Sequence, residues 1–130
     1  MNVRGRWFVI FDTLNFSLIM FQILRSCDPK DLHLCPNDNL IYEDFRHYFK
    51  DFDVEVIEEA DMKTEKWREF SLLFEGVIDD YNFGTLLRAD CHGDYTSENT
   101  FIVFRIQFLA IETARNREGL NSGVRHLKSD

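Results

Sequence analysis

The chain has 130 residues, of which 45% are apolar, 13 are Phe, six are Gly and two are Pro. This composition excludes an intrinsically disordered chain, and the length indicates one domain with a sizeable core. The net charge of −8 argues against general nucleic-acid binding, because an acidic surface repels the phosphate backbone.

The acidity is concentrated in residues 28–61, which hold eleven acidic and three basic side chains. This segment alone carries a charge equal to that of the whole protein. One interpretation is a solvated face that keeps the protein in solution. The other is a surface that attracts basic protein partners.

The N-terminal region contains a mostly apolar run from Trp7 to Leu24. Asp12 and Gln22 interrupt this run, and no small-residue cleavage site follows it, which argues against a signal peptide or a membrane span. Helical spacing instead predicts a buried first helix that ends before Pro29. The apolar residues at that spacing are Phe11, Leu14, Leu18 and Phe21.

Two further helices are predicted, one beginning near Asp38 or Asn39 and one near Thr64. The apolar stripe of the first consists of Ile41, Phe45, Tyr48 and Phe52, and that of the second of Trp67, Phe70, Phe74 and Val77. Aromatic residues at this spacing are typical of a buried helix face.

Two short segments, residues 54–57 and 85–89, are predicted to be extended, and they can pair with each other. Gly84, just before the second segment, is predicted to sit in a turn, where a positive φ costs glycine nothing.

A central helix is predicted to begin after Thr96 or Ser97 as N-cap and to end at Gly119 in the left-handed C-cap conformation. Its apolar residues cover most of its circumference over the first turns, which indicates burial on nearly all sides. They are Ile102, Phe104, Ile106, Phe108, Leu109, Ala110, Ile111 and Ala114.

These elements predict a mainly α fold, an orthogonal bundle of four or five helices. A two-stranded hairpin of residues 54–57 and 85–89 can accompany the bundle. Residues 1–121 form the single domain, and residues 122–130 form a polar tail.

The sequence contains no GxGxxG, Walker, GxSxG or HExxH motif, so we expect a protein that is not an enzyme and has no cofactor. Cys27, Cys35 and Cys91 cannot all pair and form no CxxC, which favours reduced thiols in the cytoplasm. Zinc held by these cysteines with His33 and His92 matches no standard ligand spacing, so no metal site is predicted.

A cluster of charged residues lies on the central helix and the segment before it. Its members are Arg88, Asp90, Arg105, Glu112, Arg115 and Arg117, with Glu118 beside them. One interpretation is ion pairing within the fold, of Glu112 with Arg115 and of Arg105 with Glu112. The other is a surface that binds a protein partner.

Six phrases of unusual sequence run in order through residues 27–121, about three quarters of the chain: DPKDLHL, IYEDFRHYF, KWREF, YNFGTLLRAD, YTSENT and RIQFLAIETARNREG. They resemble the polysaccharide biosynthesis domain-containing protein family of eukaryotes. Members related to this family are dedicated chaperones of newly made translation elongation factor 1-alpha. They engage its GTP-binding domain as it emerges from the ribosome.

The resemblance therefore implies a helical, monomeric, cytoplasmic chaperone that binds this client without ATP and contacts neither nucleic acid nor membrane. Two alternatives remain open. One is an enzyme or accessory factor of polysaccharide biosynthesis, as the family name suggests. The other is a structural adaptor with a different partner.

Overall fold

A computed structural model describes residues 33–122 of the chain. The elements are α1 (Asp38–Tyr48), a 3₁₀ turn (Glu59–Met62), α2 (Glu65–Leu72), β1 (Gly84–Arg88), a 3₁₀ turn (Ser97–Asn99), β2 (Thr100–Phe104) and α3 (Arg105–Arg117). Over these residues the fold is a small α+β domain with three α-helices and one two-stranded sheet. The predicted bundle of four or five helices is therefore wrong.

The sheet is antiparallel and pairs β1 with β2, so that Thr85 lies opposite Val103 and Leu87 opposite Phe101. The predicted hairpin of residues 54–57 with 85–89 does not form, because β2 pairs with β1 along Gly84–Arg88. The two segments meet only at their ends, where the Ile57 N–H donates to the Ala89 carbonyl at 2.9 Å and Val56 forms an isolated bridge with Asp90.

The predicted central helix begins seven or eight residues later than expected, because Thr100–Phe104 form strand β2 and helix α3 begins at Arg105. Ile102 and Phe104 are consequently exposed strand residues, where burial in a helix was predicted. The predicted C-cap is confirmed, since Gly119 has φ +82°. The predicted reversal before β1 is present, since the Phe83 N–H donates to the Asp80 carbonyl at 2.9 Å, but Gly84 itself opens β1 and has no positive φ.

The first two described helices agree with the sequence pattern. Asp38 opens α1, and Thr64 caps α2 by accepting a hydrogen bond from the Trp67 backbone N–H at 3.4 Å. Phe45 of α1 stacks on Trp67 of α2, with ring centroids 5.6 Å apart. Of the stripe predicted for α2, only Val77 is exposed. Local spacing was sufficient here because both helices bury one apolar face.

Helix α3 is the centre of the domain and contacts the sheet and both other helices. Every residue from Ile106 to Asn116 is buried, which confirms the predicted burial on nearly all sides. The predicted first helix and C-terminal tail lie outside the described residues. Within residues 33–122, no helix is long and apolar enough to cross a membrane.

Candidate functional site

Three of the predicted site residues, Arg88, Glu112 and Arg115, meet in the interior, each 1% exposed or less. The Glu112 carboxylate accepts a hydrogen bond from Nη1 of Arg115 at 2.7 Å and one from Nη2 of Arg88 at 3.2 Å. Asn121, which the sequence did not single out, donates Nδ2 to the same carboxylate at 3.0 Å. We call Arg88, Glu112, Arg115 and Asn121 the buried ionic cluster.

The two arginines also bind backbone carbonyls. Arg88 donates to the carbonyl oxygens of Cys91 and Gly93, at 2.9 and 3.2 Å. Arg115 donates to those of Val54 and Ala89, at 2.7 and 3.1 Å. The buried ionic cluster therefore holds two backbone segments, the one at Val54 and residues 89–93, against α3.

The electrostatics of the cluster favour an ionised Glu112. Burial opposes ionisation, but the charges of Arg88 and Arg115 and the hydrogen bonds from Arg115 and Asn121 outweigh it and hold the pKa of Glu112 below its usual range. A carboxylate between two guanidinium groups remains charged in the interior for this reason. The predicted pairing of Glu112 with Arg115 is confirmed.

The other predicted site residues lie at or near the surface and are not gathered at one place. Arg105 pairs with Asp80 at 3.8 Å rather than with Glu112. Arg117 lies 3.5 Å from Asp38 of α1, and the Asp90 carboxylate accepts the backbone N–H of His92 in a loop. The six residues thus do not form a continuous surface. The prediction that they bind a partner remains untested, and the three interior ones are inaccessible in this fold.

Glu118, the neighbour of that set, makes a surface cluster with α1. Its carboxylate accepts hydrogen bonds from Nη2 of Arg46 at 2.6 Å and from the hydroxyl of Tyr42 at 2.9 Å. Since Arg46 also donates to the Phe49 and Phe52 carbonyls, these contacts fix the ends of α1 and α3 together. Their role is structural.

An open groove lies between β2 and residues 59–68. Its volume is about 450 Å³. Met62, Trp67 and Val103 form its apolar floor, and the exposed side chains of Ile102 and Phe104 form one wall. Glu59, Lys63 and Arg68 lie on the opposite rim. We call this feature the β2 groove.

The backbone of β2 is available in the β2 groove. The Arg105 N–H donates to the Phe83 carbonyl, and the Asn99 carbonyl accepts the Ala89 N–H, so residues 99 and 105 direct their backbone groups toward β1. In an antiparallel pair, successive residues direct their backbone groups alternately toward and away from the partner strand. Ile102 is three residues from each of these positions and therefore directs its N–H and C=O away from β1. In the described part of the chain no further strand pairs with that edge.

A buried donor also lines the β2 groove. Trp67 is 1% exposed, and no described residue accepts a hydrogen bond from its Nε1. A buried donor without an acceptor costs about 1–3 kcal/mol. Gln107 closes the end of the groove, since it accepts the Phe104 N–H and donates to the Met62 carbonyl. The β2 groove could not be predicted from the sequence, because the apolar spacing placed Ile102 and Phe104 in a helix instead of a strand.

Comparisons with known proteins agree on one family. A sequence model of the PBDC1 protein family matches residues 8–126. Protein PBDC1 of Mus musculus is 48% identical over 110 residues, which cover 82% of this chain and 56% of the mouse protein. Protein PBDC1 of Homo sapiens is 46% identical over 110 residues, 82% of this chain and 47% of the human protein. The chain thus spans about half the length of these mammalian relatives.

The match extends over a larger share of the yeast relatives than of the mammalian ones. The PBDC1 homolog of Saccharomyces cerevisiae is 42% identical over 112 residues, 80% of this chain and 77% of the yeast protein. The solution NMR structure of protein yst0336 from Saccharomyces cerevisiae has a TM-score of 0.85 at 34% identity. The structural match covers 98% of this chain and 93% of the yeast chain. The chain therefore belongs to the PBDC1 protein family, the eukaryotic polysaccharide biosynthesis domain-containing proteins that its sequence phrases resembled.

Proposed function

We propose that this protein is a non-enzymatic, client-specific chaperone of the cytoplasm. It binds newly synthesised translation elongation factor 1-alpha and assists the folding of the GTP-binding domain of that client. The proposal begins from the resemblance of six sequence phrases to a family with members related to such chaperones. It places the contact with the client in the β2 groove.

The observation that carries the proposal is the combination of apolar side chains and free backbone in the β2 groove. Ile102 is 63% exposed and Phe104 is 45% exposed. A chaperone that acts without ATP needs an exposed surface that attracts unfolded segments, and apolar side chains supply that attraction. The outward N–H and C=O of Ile102 can pair with an extended segment of the client, as an edge strand does in β-augmentation.

The charge of the chain also suits a protein client. The net charge is −8, which speeds the encounter with basic segments of another protein. At the rim of the β2 groove itself, however, Lys63 pairs with Glu59 at 2.8 Å and Arg68 with Glu65 at 3.5 Å, so local charges nearly cancel. Attraction over long distance thus comes from the acidic surface, and short-range affinity from the apolar groove.

The test is capture of nascent chains by the tagged protein from cytosol in which translation is stalled, with identification by mass spectrometry. The groove variant carries Ile102→Glu and Phe104→Glu. The matched control carries Leu72→Glu and Leu73→Glu, which are 54% and 48% exposed at the end of α2. Both variants add two charges at exposed apolar positions, so only the location differs.

We expect the wild type and the control to enrich elongation factor 1-alpha, and the groove variant to recover at least tenfold less. Equal recovery by both variants would move the contact away from the β2 groove. Enrichment of another protein in its place would overturn the chaperone proposal and favour the adaptor. A thermal shift with a sugar nucleotide or a methyl donor would favour the role in polysaccharide biosynthesis.

A further inference from the structure

We propose that the turn after β1 binds one zinc ion through Asp90, Cys91 and His92. Each of these residues offers one ligand atom, and the three atoms lie within 4.8 Å of one another. Thiolate, imidazole and carboxylate are the three ligand types that Zn²⁺ takes in proteins. Zinc bonds of about 2.0–2.3 Å place tetrahedral ligand atoms roughly 3.3–3.8 Å apart, so side-chain rotations that close these distances by up to about 1 Å bring the three atoms to one metal.

The turn is fixed in place before any metal binds. The backbone N–H of Gly93 donates to the carbonyl of Asp90 at 3.1 Å, which closes the turn. The Asn99 side chain holds the turn from within, since its Oδ1 accepts the Asp90 N–H and its Nδ2 donates to the Asp90 carbonyl. A site fixed in this way loses little conformational entropy when it binds a metal.

Glu55 orients the histidine. Its Oε1 lies 3.1 Å from Nε2 of His92, which leaves Nδ1 free to bind the metal. Metal-bound histidines usually donate their second ring nitrogen to a carboxylate, which fixes the ring and raises its basicity. The isolated bridge between Val56 and Asp90 places Glu55 there, so this carboxylate is built into the backbone pairing.

The Cys91 sulfur lies inside the turn, where the residue is 1% exposed and Sγ is 3.7 Å from the carbonyl oxygen of Leu120. When zinc binds, the thiol proton is released to solvent, and the metal replaces it on sulfur. A soft thiolate favours zinc over magnesium or calcium, which take oxygen ligands. Three protein ligands leave the fourth tetrahedral position to water.

The test uses the full chain, freed of metal by a chelator, and titrates it with Co²⁺ and then with Zn²⁺. A thiolate bound to Co²⁺ gives a charge-transfer band, and Zn²⁺ displaces it. We expect one equivalent of Co²⁺ to produce this band, and Cys91→Ser to remove it. The matched control, Cys35→Ser, changes the other described cysteine and should keep the band unchanged.

If Cys91→Ser does not fold, substitutions at the exposed residues His92 and Glu55 test the proposal instead. We expect His92→Ala to weaken zinc binding at least tenfold, and Glu55→Gln to weaken it about 10–100-fold, as loss of an outer partner does. His47→Ala on α1 should have no effect. The proposal is overturned if the wild type gives no band, if Cys91→Ser retains it, or if His92→Ala and His47→Ala bind zinc equally.

Discussion

Replacing Glu112 by Gln tests whether the buried ionic cluster holds the fold together. The substitution keeps the shape of the side chain and removes its charge, which leaves Arg88 and Arg115 buried without a counter-charge. Removal of one partner from a buried ion pair costs about 3–5 kcal/mol. Domains of this size unfold with about 5–15 kcal/mol, so we expect Glu112→Gln to lose a large share of the stability.

The measurement is urea unfolding followed by tryptophan fluorescence, since Trp67 lies in the core. The matched control is Glu118→Gln, which breaks the pair with Arg46 at 2.6 Å, where the two side chains are 30% and 23% exposed. Exposed pairs contribute less than about 1 kcal/mol. Equal losses in the two variants, or a loss below about 1 kcal/mol for Glu112→Gln, would refute the assignment of the cluster as a structural centre.

The same cluster predicts a dependence of stability on pH. The pKa of Glu112 is lower in the folded protein than its usual value, because the charges of Arg88 and Arg115 outweigh the effect of burial. A lowered carboxyl pKa contributes stability that is fully present above the unfolded pKa, and this contribution is lost as pH falls through the folded value. We therefore expect the free energy of unfolding of the wild type to fall more steeply below about pH 4.3 than that of Glu112→Gln. Parallel curves would contradict this reasoning.

Three further substitutions test the fold by thermal unfolding. Gly93→Ala should lower the melting temperature, because its Cβ would lie 2.7 Å from Nδ2 of Asn99; an unchanged value would mean that the loop yields. Gly119→Ala should cost about 1–2 kcal/mol from its φ of +82° alone, since a Cβ there meets no atom within 4 Å. Ile106→Asp should prevent folding, because Ile106 is 0% exposed, whereas Ile102→Asp should fold normally; equal behaviour would contradict the assignment of strand β2.

Helices α1 and α2 could be predicted because their signals are local. Thr64 caps α2 three residues before the N–H that it accepts, and the apolar residues recur at helical spacing. Strand β2 could not be predicted in this way. Ile102 and Phe104 also fit the spacing of Ile106, and a short apolar run does not separate strand from helix. Pairing with β1 decides the outcome, and that contact is not local.

The buried ionic cluster shows the same limit. The pair of Glu112 and Arg115 follows from their spacing of three residues, but Arg88 lies 24 residues from Glu112 and Asn121 lies 33 from Arg88. Charged side chains are rarely fully buried, so the sequence favoured an exposed cluster. Only the packing of α3 against the turn after β1 shows that these charges are interior.

The sequence phrases that resemble the family contribute to both the β2 groove and the buried ionic cluster, since Trp67 and Gln107 of the β2 groove lie in KWREF and RIQFLAIETARNREG. Arg88 lies in the phrase YNFGTLLRAD, and Glu112 and Arg115 lie in RIQFLAIETARNREG, so these phrases supply the three charged members of the buried ionic cluster. Residues 101–104 fall between two phrases and form most of β2. Because the β2 groove and the cluster share no residue, their effects should be independent. We expect Glu112→Gln to lower stability while its folded fraction still captures the client, and the groove variant to remain stable without capturing it.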